Sequence, residues 1–162
     1  MAADTLKVIV KAKAEIVNGY TLPPEPYNVV NNSTLIGIDT NNNGVRDDVE
    51  RMIIKKYPKK LHVELMMDGA KQFQQIMEQS FGNALELRKE ISRVGNCRVY
   101  LRRIDKEIKS DNFNMVEYLE NITFNTKERV KKYLDYNVEL SGGVYGSKSS
   151  DWEKKSCSFR SY

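Results

Sequence analysis

Between Asp39 and Glu50 the chain sets an oxygen-bearing side chain at nearly every second position: Asp39, Asn41, Asn43, then Asp47 and Glu50, with Gly44 in their midst. Counted from Asp39, oxygens fall at positions 1, 3, 5, 9 and 12 and the glycine at position 6. No other stretch constrains the fold as closely. A hard dication such as Ca²⁺ takes six to eight oxygens at roughly 2.3–2.6 Å, and this phase lets one continuous loop deliver them. Gly44 permits the sharp turn that aims the Val45 carbonyl inward. Asp47 binds directly or through a water, and Glu50, in the first turn of a following helix, chelates with both oxygens. Three carboxylates leave the site net negative around a dication, whereas two neutral Asn ligands make it weaker than an all-Asp loop. Mg²⁺, with its stricter octahedral geometry, suits the loop less well. A plainer reading makes Asp47–Glu50 a helix cap and the Asn run a polar turn. It accounts for the last four residues but not for the phase of Asp39, Asn41, Asn43 and Gly44.

The stretch resembles an EF-hand-type calcium loop, and is similar also to the short Asp-rich loops of thrombospondin type 3 and dockerin repeats. It departs from the EF-hand pattern in two ways. Position 8, where that family carries a β-branched residue or Leu that pairs with a sister loop, is Arg46. The lead-in is Pro-rich chain and Leu35-Ile36-Gly37-Ile38 rather than a helix. With no second loop in the chain, pairing and sensor-type opening are not expected. The loop reads as an unpaired, one-sided brace.

The remaining chain is helical in pattern. From Asp47 a helix runs to Pro58, with Val49, Met52, Ile53 and Lys56 on one face. Leu65, Met66, Gly69, Ala70, Phe73, Ile76 and Met77 form one broad apolar stripe over 60–80. The Met66-Met67 and Met77 positions read as core rather than as a peptide groove. A third helix spans about 83–109, marked by Ala84, Leu87, Ile91 and Val94, then Cys97, Leu101, Ile104 and Ile108, with a kink expected at Gly95-Asn96. A fourth helical region covers about 112–140. Phe113, Val116, Leu119 and Ile122 make one stripe and Val130, Tyr133, Leu134 and Val138 another; Asn125 and Glu128, at capping-box spacing, predict a break near Thr123–Thr126.

The N-terminal third is less regular. Leu6, Val8, Val10, Ala12, Ala14 and Ile16 alternate like a strand, while Leu6, Ile9, Val10, Lys13, Ala14 and Val17 fit a helical stripe stopped by Gly19. Length and the terminal Gly tip the expectation to helix. Pro23, Pro24 and Pro26, with Asn28, Asn31, Asn32 and Ser33, make 20–38 an extended arm. The expected fold is therefore a single all-α domain over 1–162, an irregular bundle of four to six helices with a Pro-rich N-terminal arm. The arm is 20–38, the calcium loop 39–50, the helical core 47–140 and the docked tail 141–162.

Cys97 and Cys157 lie 60 positions apart, which offers neither CxxC redox chemistry nor a Cys-rich zinc site. They are either two buried thiols or one disulfide that staples the tail, with Trp152 and Phe159 beside it; the disulfide is the expectation, and it implies an oxidising compartment. The N-terminus, Met1-Ala2-Ala3-Asp4-Thr5, fits a cytosolic start or a mature domain without its signal peptide. No apolar run approaches a transmembrane length. The net charge of +4 falls short of a nucleic-acid signature.

His62 is the sole histidine, so triad and transition-metal chemistry have little to work with, and it reads as a surface or helix-start residue. Arg98, Arg102, Lys106 and Lys109, with Arg88, Lys89 and Arg93 upstream, read as a solvated face laced by pairs such as Glu90–Arg93 and Asp105–Lys109. Lys55-Lys56 and Lys59-Lys60 read likewise. Residues Asn18-Gly19-Tyr20-Thr21-Leu22-Pro23-Pro24-Glu25-Pro26, followed by Gly37 through Glu50, resemble the start of small exported proteins of Gram-negative bacteria. The resemblance covers about a third of the chain. It implies export to the periplasm or beyond and carries no activity with it. The expectation is a non-enzymatic calcium-binding module acting on a protein partner, with an inhibitor or immunity protein of a bacterial toxin as the alternative.

Overall fold

The structure, a computed structural model, describes residues 14–110, 113–143 and 154–159. It opens with a two-residue hairpin. Strands β1 (Ile16–Val17) and β2 (Tyr20–Thr21) pair antiparallel, Ile16 opposite Thr21 and Val17 opposite Tyr20. Asn18 (φ 52°) and Gly19 (φ 83°) both take left-handed backbone, as a tight hairpin turn of the primed type demands. This corrects the helical expectation for the described part of 5–18: Gly19 turns a hairpin rather than stopping a helix. Residues 5–13 lie outside the described residues.

The arm follows, broken only by the single turn α1 (Asn28–Asn31). Five longer helices make the body: α2 (Asp47–Lys56), α3 (Lys60–Glu78), α4 (Ala84–Leu101), α6 (Met115–Thr123) and α7 (Lys127–Leu140). A one-turn α5 (Lys106–Lys109) and a 3₁₀ turn (Lys154–Ser156) complete the described elements. The all-α expectation holds, with the hairpin as its small exception. No helix among the described residues is long and apolar enough to cross a membrane.

Helix α3 is the axis, packed against α2, α4, α6 and α7. Its expected stripe is buried from Leu65 to Met77. At Gly69 a Cβ would collide with the Met115 and Leu119 side chains, so glycine here sets how closely α3 and α6 approach. The aromatic side chains Phe73, Phe124, Tyr133 and Tyr136 form a continuous stack across α3, the α6–α7 junction and α7, with neighbouring centroids 4.3–6.4 Å apart.

Three local expectations need correction. Helix α4 passes through Gly95-Asn96 without interruption and ends instead at Leu101, where Asp105 caps α5 by accepting from the Glu107 and Ile108 N–H groups. The break at 123–126 is present, but the cap of α7 is Thr126, whose hydroxyl accepts from Arg129 N–H at 3.2 Å, one residue beyond Asn125. Finally, Met52, Val116, Val130, Leu134 and Val138 stand exposed. Helix α7 instead packs through Arg129, Tyr133, Tyr136 and Leu140, a row at helical spacing on the other side.

Cys97 and Cys157 form a disulfide, with Cα atoms 4.8 Å apart. It ties the tail to the C-terminal part of α4. Arg93, one turn earlier, donates to the Ser156 carbonyl at 2.8 Å. Cys157 and Phe159 pack on the core as expected of a docked tail; Trp152 lies outside the described residues.

Candidate metal centre

The loop closes through a backbone bond from Asp47 N–H to the Ile38 carbonyl (2.8 Å). Gly44, at φ +83°, supplies the turn its position requires, and Asn42 shares the left-handed region. Short-range side-chain bonds hold the winding. Asp39 accepts from the N–H groups of Asn43 (3.2 Å) and Gly44 (2.8 Å), Asn41 from Asn43 (3.1 Å), and Asn43 from Val45 (2.9 Å). Each uses an Asx-type local bond that Asp and Asn make more readily than any other residue.

The two acids of the helix turn back into the loop. Asp47 Oδ1 accepts from Thr40 N–H at 3.0 Å. Glu50 Oε2 accepts from Asn41 Nδ2 (3.1 Å) and Asn43 Nδ2 (2.6 Å), so positions 3, 5 and 12 converge. The N-cap of α2 is Arg46, which makes no side-chain cap bond. Within Asp47–Glu50 the helix-cap reading holds for Asp48 alone, which accepts from Val49 N–H at 2.9 Å, while Asp47 and Glu50 turn into the loop. Asp47 is fully buried and Glu50 nearly so, and Asp47 Oδ2 has no hydrogen-bond partner. Burial, with Asp39 and Asp48 nearby, pushes the Asp47 carboxyl above the usual range in spite of the Thr40 donor. Among the described residues no three His, Cys, Asp or Glu side chains gather into a metal-ligating group. The loop's convergence runs through its asparagines, with the carboxylates distributed around them.

Arg46, out of pattern for an EF-hand, is fully buried. Its guanidinium pairs with Asp48 (2.5 Å) and donates to the Ile122 and Thr123 carbonyls (3.0 and 3.2 Å) and to Asn125 Oδ1 (3.3 Å). Those carbonyls belong to the last turn of α6, which a helix leaves without internal donors. Position 8 thus ties the loop to another helix rather than to a sister loop. No family model, curated protein or solved structure matches the chain.

Arg129, which the sequence pattern does not single out, is, like Arg46, fully buried. It donates to the carbonyls of Asn31 (2.6 Å), Thr34 (3.0 Å) and Leu35 (3.0 Å), and to Asn32 and Asn125 side chains (2.9 and 2.6 Å). Burial first, then the charge of Arg46, lowers its pKa to about 10, so it remains charged at neutral pH. Gly37, at φ +71°, lies so close that a Cβ there would meet Asn31 Oδ1 at 2.7 Å and Arg129 Nη2 at 3.0 Å, and would overlap the Arg46 side chain. The arm, the loop and the α6–α7 junction are one hydrogen-bonded wall.

His62 is buried rather than on the surface. Its Nε2 lies 3.2 Å from Asp105 Oδ2 and its ring meets Tyr57 and Phe113 edge-on. Burial works against ionised Asp105, but the Ile108 and Glu107 N–H groups and His62 outweigh it and lower its pKa. The basic face of α4 is also less uniform than its spacing implies. Arg93 forks onto Asp68 (2.8 and 3.0 Å) and pairs with Glu90, whereas Arg98 donates to the Phe113 carbonyl at 3.1 Å. Asp105 serves His62 and α5 rather than Lys109.

Proposed function

We propose that the loop binds Ca²⁺ and that the ion braces the arm against the helical body. The observation that carries this is Asp47 Oδ2, a fully buried carboxylate oxygen with no partner inside a loop of hard oxygen donors. Asp39, Asn41, Asn43, the Val45 carbonyl, Asp47 and Glu50 would hold the ion. The donor set fits: every side chain in it offers oxygen, and none offers the nitrogen or sulfur that a transition metal prefers. The Asn41 and Asn43 amides now donate to Glu50 while their oxygens accept from the Asn43 and Val45 N–H groups, so an ion would replace the two bonds to Glu50 and share those oxygens.

The ion would neutralise Asp39, Asp47 and Glu50 and fix the exit of the arm into α2, whose positive end already favours acids. The disulfide supports an oxidising compartment, periplasmic or extracellular, where calcium is plentiful. The task of the braced fold is to bind a protein partner, as a module or as a toxin inhibitor; the exposed apolar row Val130, Leu134 and Val138 on α7 supports that reading.

Calcium should raise the melting temperature of chelator-treated protein. Mass action gives about 2.7 kcal/mol at a hundredfold excess over Kd. Asp47→Asn and Glu50→Gln should each reduce that gain, and Mg²⁺ should reproduce little of it. A melting temperature indifferent to calcium and to chelator sinks the proposal.

A further inference from the structure

Helix α7 turns one face to the core and leaves the other bare. On the bare face Val130, Leu134 and Val138 follow one another at four-residue spacing and stay 42 %, 55 % and 71 % exposed. Lys127, Lys131 and Asp135 border this row along one side, all exposed, and none makes an ion pair among the described residues. The opposite border, Tyr133, Asn137 and Ser141, carries no charge. We propose that this face binds the same face of a second copy of the chain, two α7 helices packed antiparallel about a two-fold axis at Leu134. The proposal rests on the reading above that the row meets a protein, and it names that protein.

Helical geometry decides what such a pair brings together. With about 3.6 residues per turn, Val130 falls opposite the second copy's Val138, and Leu134 opposite Leu134. A two-fold axis across antiparallel helices sets like border against like border, so Lys131 of each copy meets Asp135 of the other. The charges close as two reciprocal pairs. Parallel packing would set the charged border against the uncharged one, and no pair would form.

Two further features fit the same partner. The last turn of α7 has no basic residue of its own. Antiparallel packing lays Lys127 of the second copy beside it, where a cation suits the helix dipole. Next to Val130 and Leu134 lies a shallow depression of about 410 Å³, lined also by Phe124, Thr126, Lys127 and Lys131. The second copy's Val138 comes down over it. One helix face is smaller than a standard interface of about 800 Å² per partner, so association belongs in the micromolar range or weaker.

The test is sedimentation equilibrium of the oxidised full chain, at fixed calcium, from micromolar to millimolar concentration. The mass should climb toward that of a dimer as concentration rises. Leu134→Glu should hold the chain monomeric without lowering its melting temperature in dilute solution, and Val138→Glu, at a still more exposed position, should do the same. Lys131→Glu and Asp135→Lys should each weaken dimerisation about tenfold, the upper scale of two exposed ion pairs. An equimolar mixture of those two variants should recover it, because the two copies then carry opposite charges at both positions. A chain monomeric at every concentration, a dimer indifferent to both apolar substitutions, or a mixture that does not recover overturns the proposal. None of these outcomes touches the calcium reading, which stands or falls on the melting temperature.

Discussion

Two arginines carry more of this architecture than any apolar residue of the arm. Arg46 and Arg129 are both fully buried and share Asn125 Oδ1 as an acceptor, yet among the described residues the only carboxylate paired with either is Asp48. Backbone carbonyls and the Asn32 and Asn125 side-chain oxygens do the rest of the compensation, and their geometry suits a planar fork better than a point charge. Removing Arg129 would leave the carbonyls of Asn31, Thr34 and Leu35 without its donors. Arg129→Met should therefore cost roughly 3 kcal/mol, the low end for breaking a buried charged network, and Arg129→Lys should recover little of it. The midpoint of urea unfolding measures both; a loss below about 1 kcal/mol for Arg129→Met would show the wall to be redundant. Neither role was legible in the sequence. Arg46 registered only as a departure from a loop pattern, and Arg129 stands among Lys127, Glu128, Lys131 and Lys132, where charge reads as solvent.

At the level of elements, periodicity succeeded where one face is buried and misled where two faces compete. The stripe of α3 emerged whole because its polar and apolar residues segregate cleanly. Helix α7 offers two rows, and its aliphatic one faces outward, because the aromatic row completes a stack begun by Phe73 and Phe124. The hairpin was hidden for a different reason: Asn18-Gly19 is a strong turn signal, but a terminal glycine is a helix signal too. Gly95 shows the opposite case, a glycine that marks nothing. Helix α4 runs through it, and a Cβ there would meet no atom within 4 Å. Gly95→Ala should therefore stabilise the protein by about 0.5–1 kcal/mol, through helix propensity alone. A lower melting temperature for this variant would mean that the helix bends at Gly95 in solution.

Across the whole molecule, the fold is closed by one covalent tie and one polar wall at opposite ends of the sequence. The disulfide closes a loop of 60 residues that holds the end of α4 and all of α5, α6 and α7. In the chain-entropy model such a closure contributes roughly 4 kcal/mol. Reduction should lower the urea midpoint accordingly, and Cys97→Ala with Cys157→Ser should reproduce the reduced protein and no longer respond to reductant. An unchanged midpoint would show that packing of Phe159 and the Arg93–Ser156 bond holds the tail without the covalent link. The cysteine count made this tie legible from the outset, as did the spacing that marked the loop at 39–50. What the sequence did not reveal is how the loop is attached, since that attachment depends on α6 and α7 arriving from far along the chain.

That distance has a temporal side. Arg129 reaches the Asn31 carbonyl across 98 positions. A chain made from its N-terminus thus presents the arm and the 39–50 loop long before the side chain that clasps them exists. Until α7 arrives the clasp has nothing to close with, so the arm sets last. Under the proposed export as an unfolded thread, a lock supplied so late would delay closure until most of the chain is in hand.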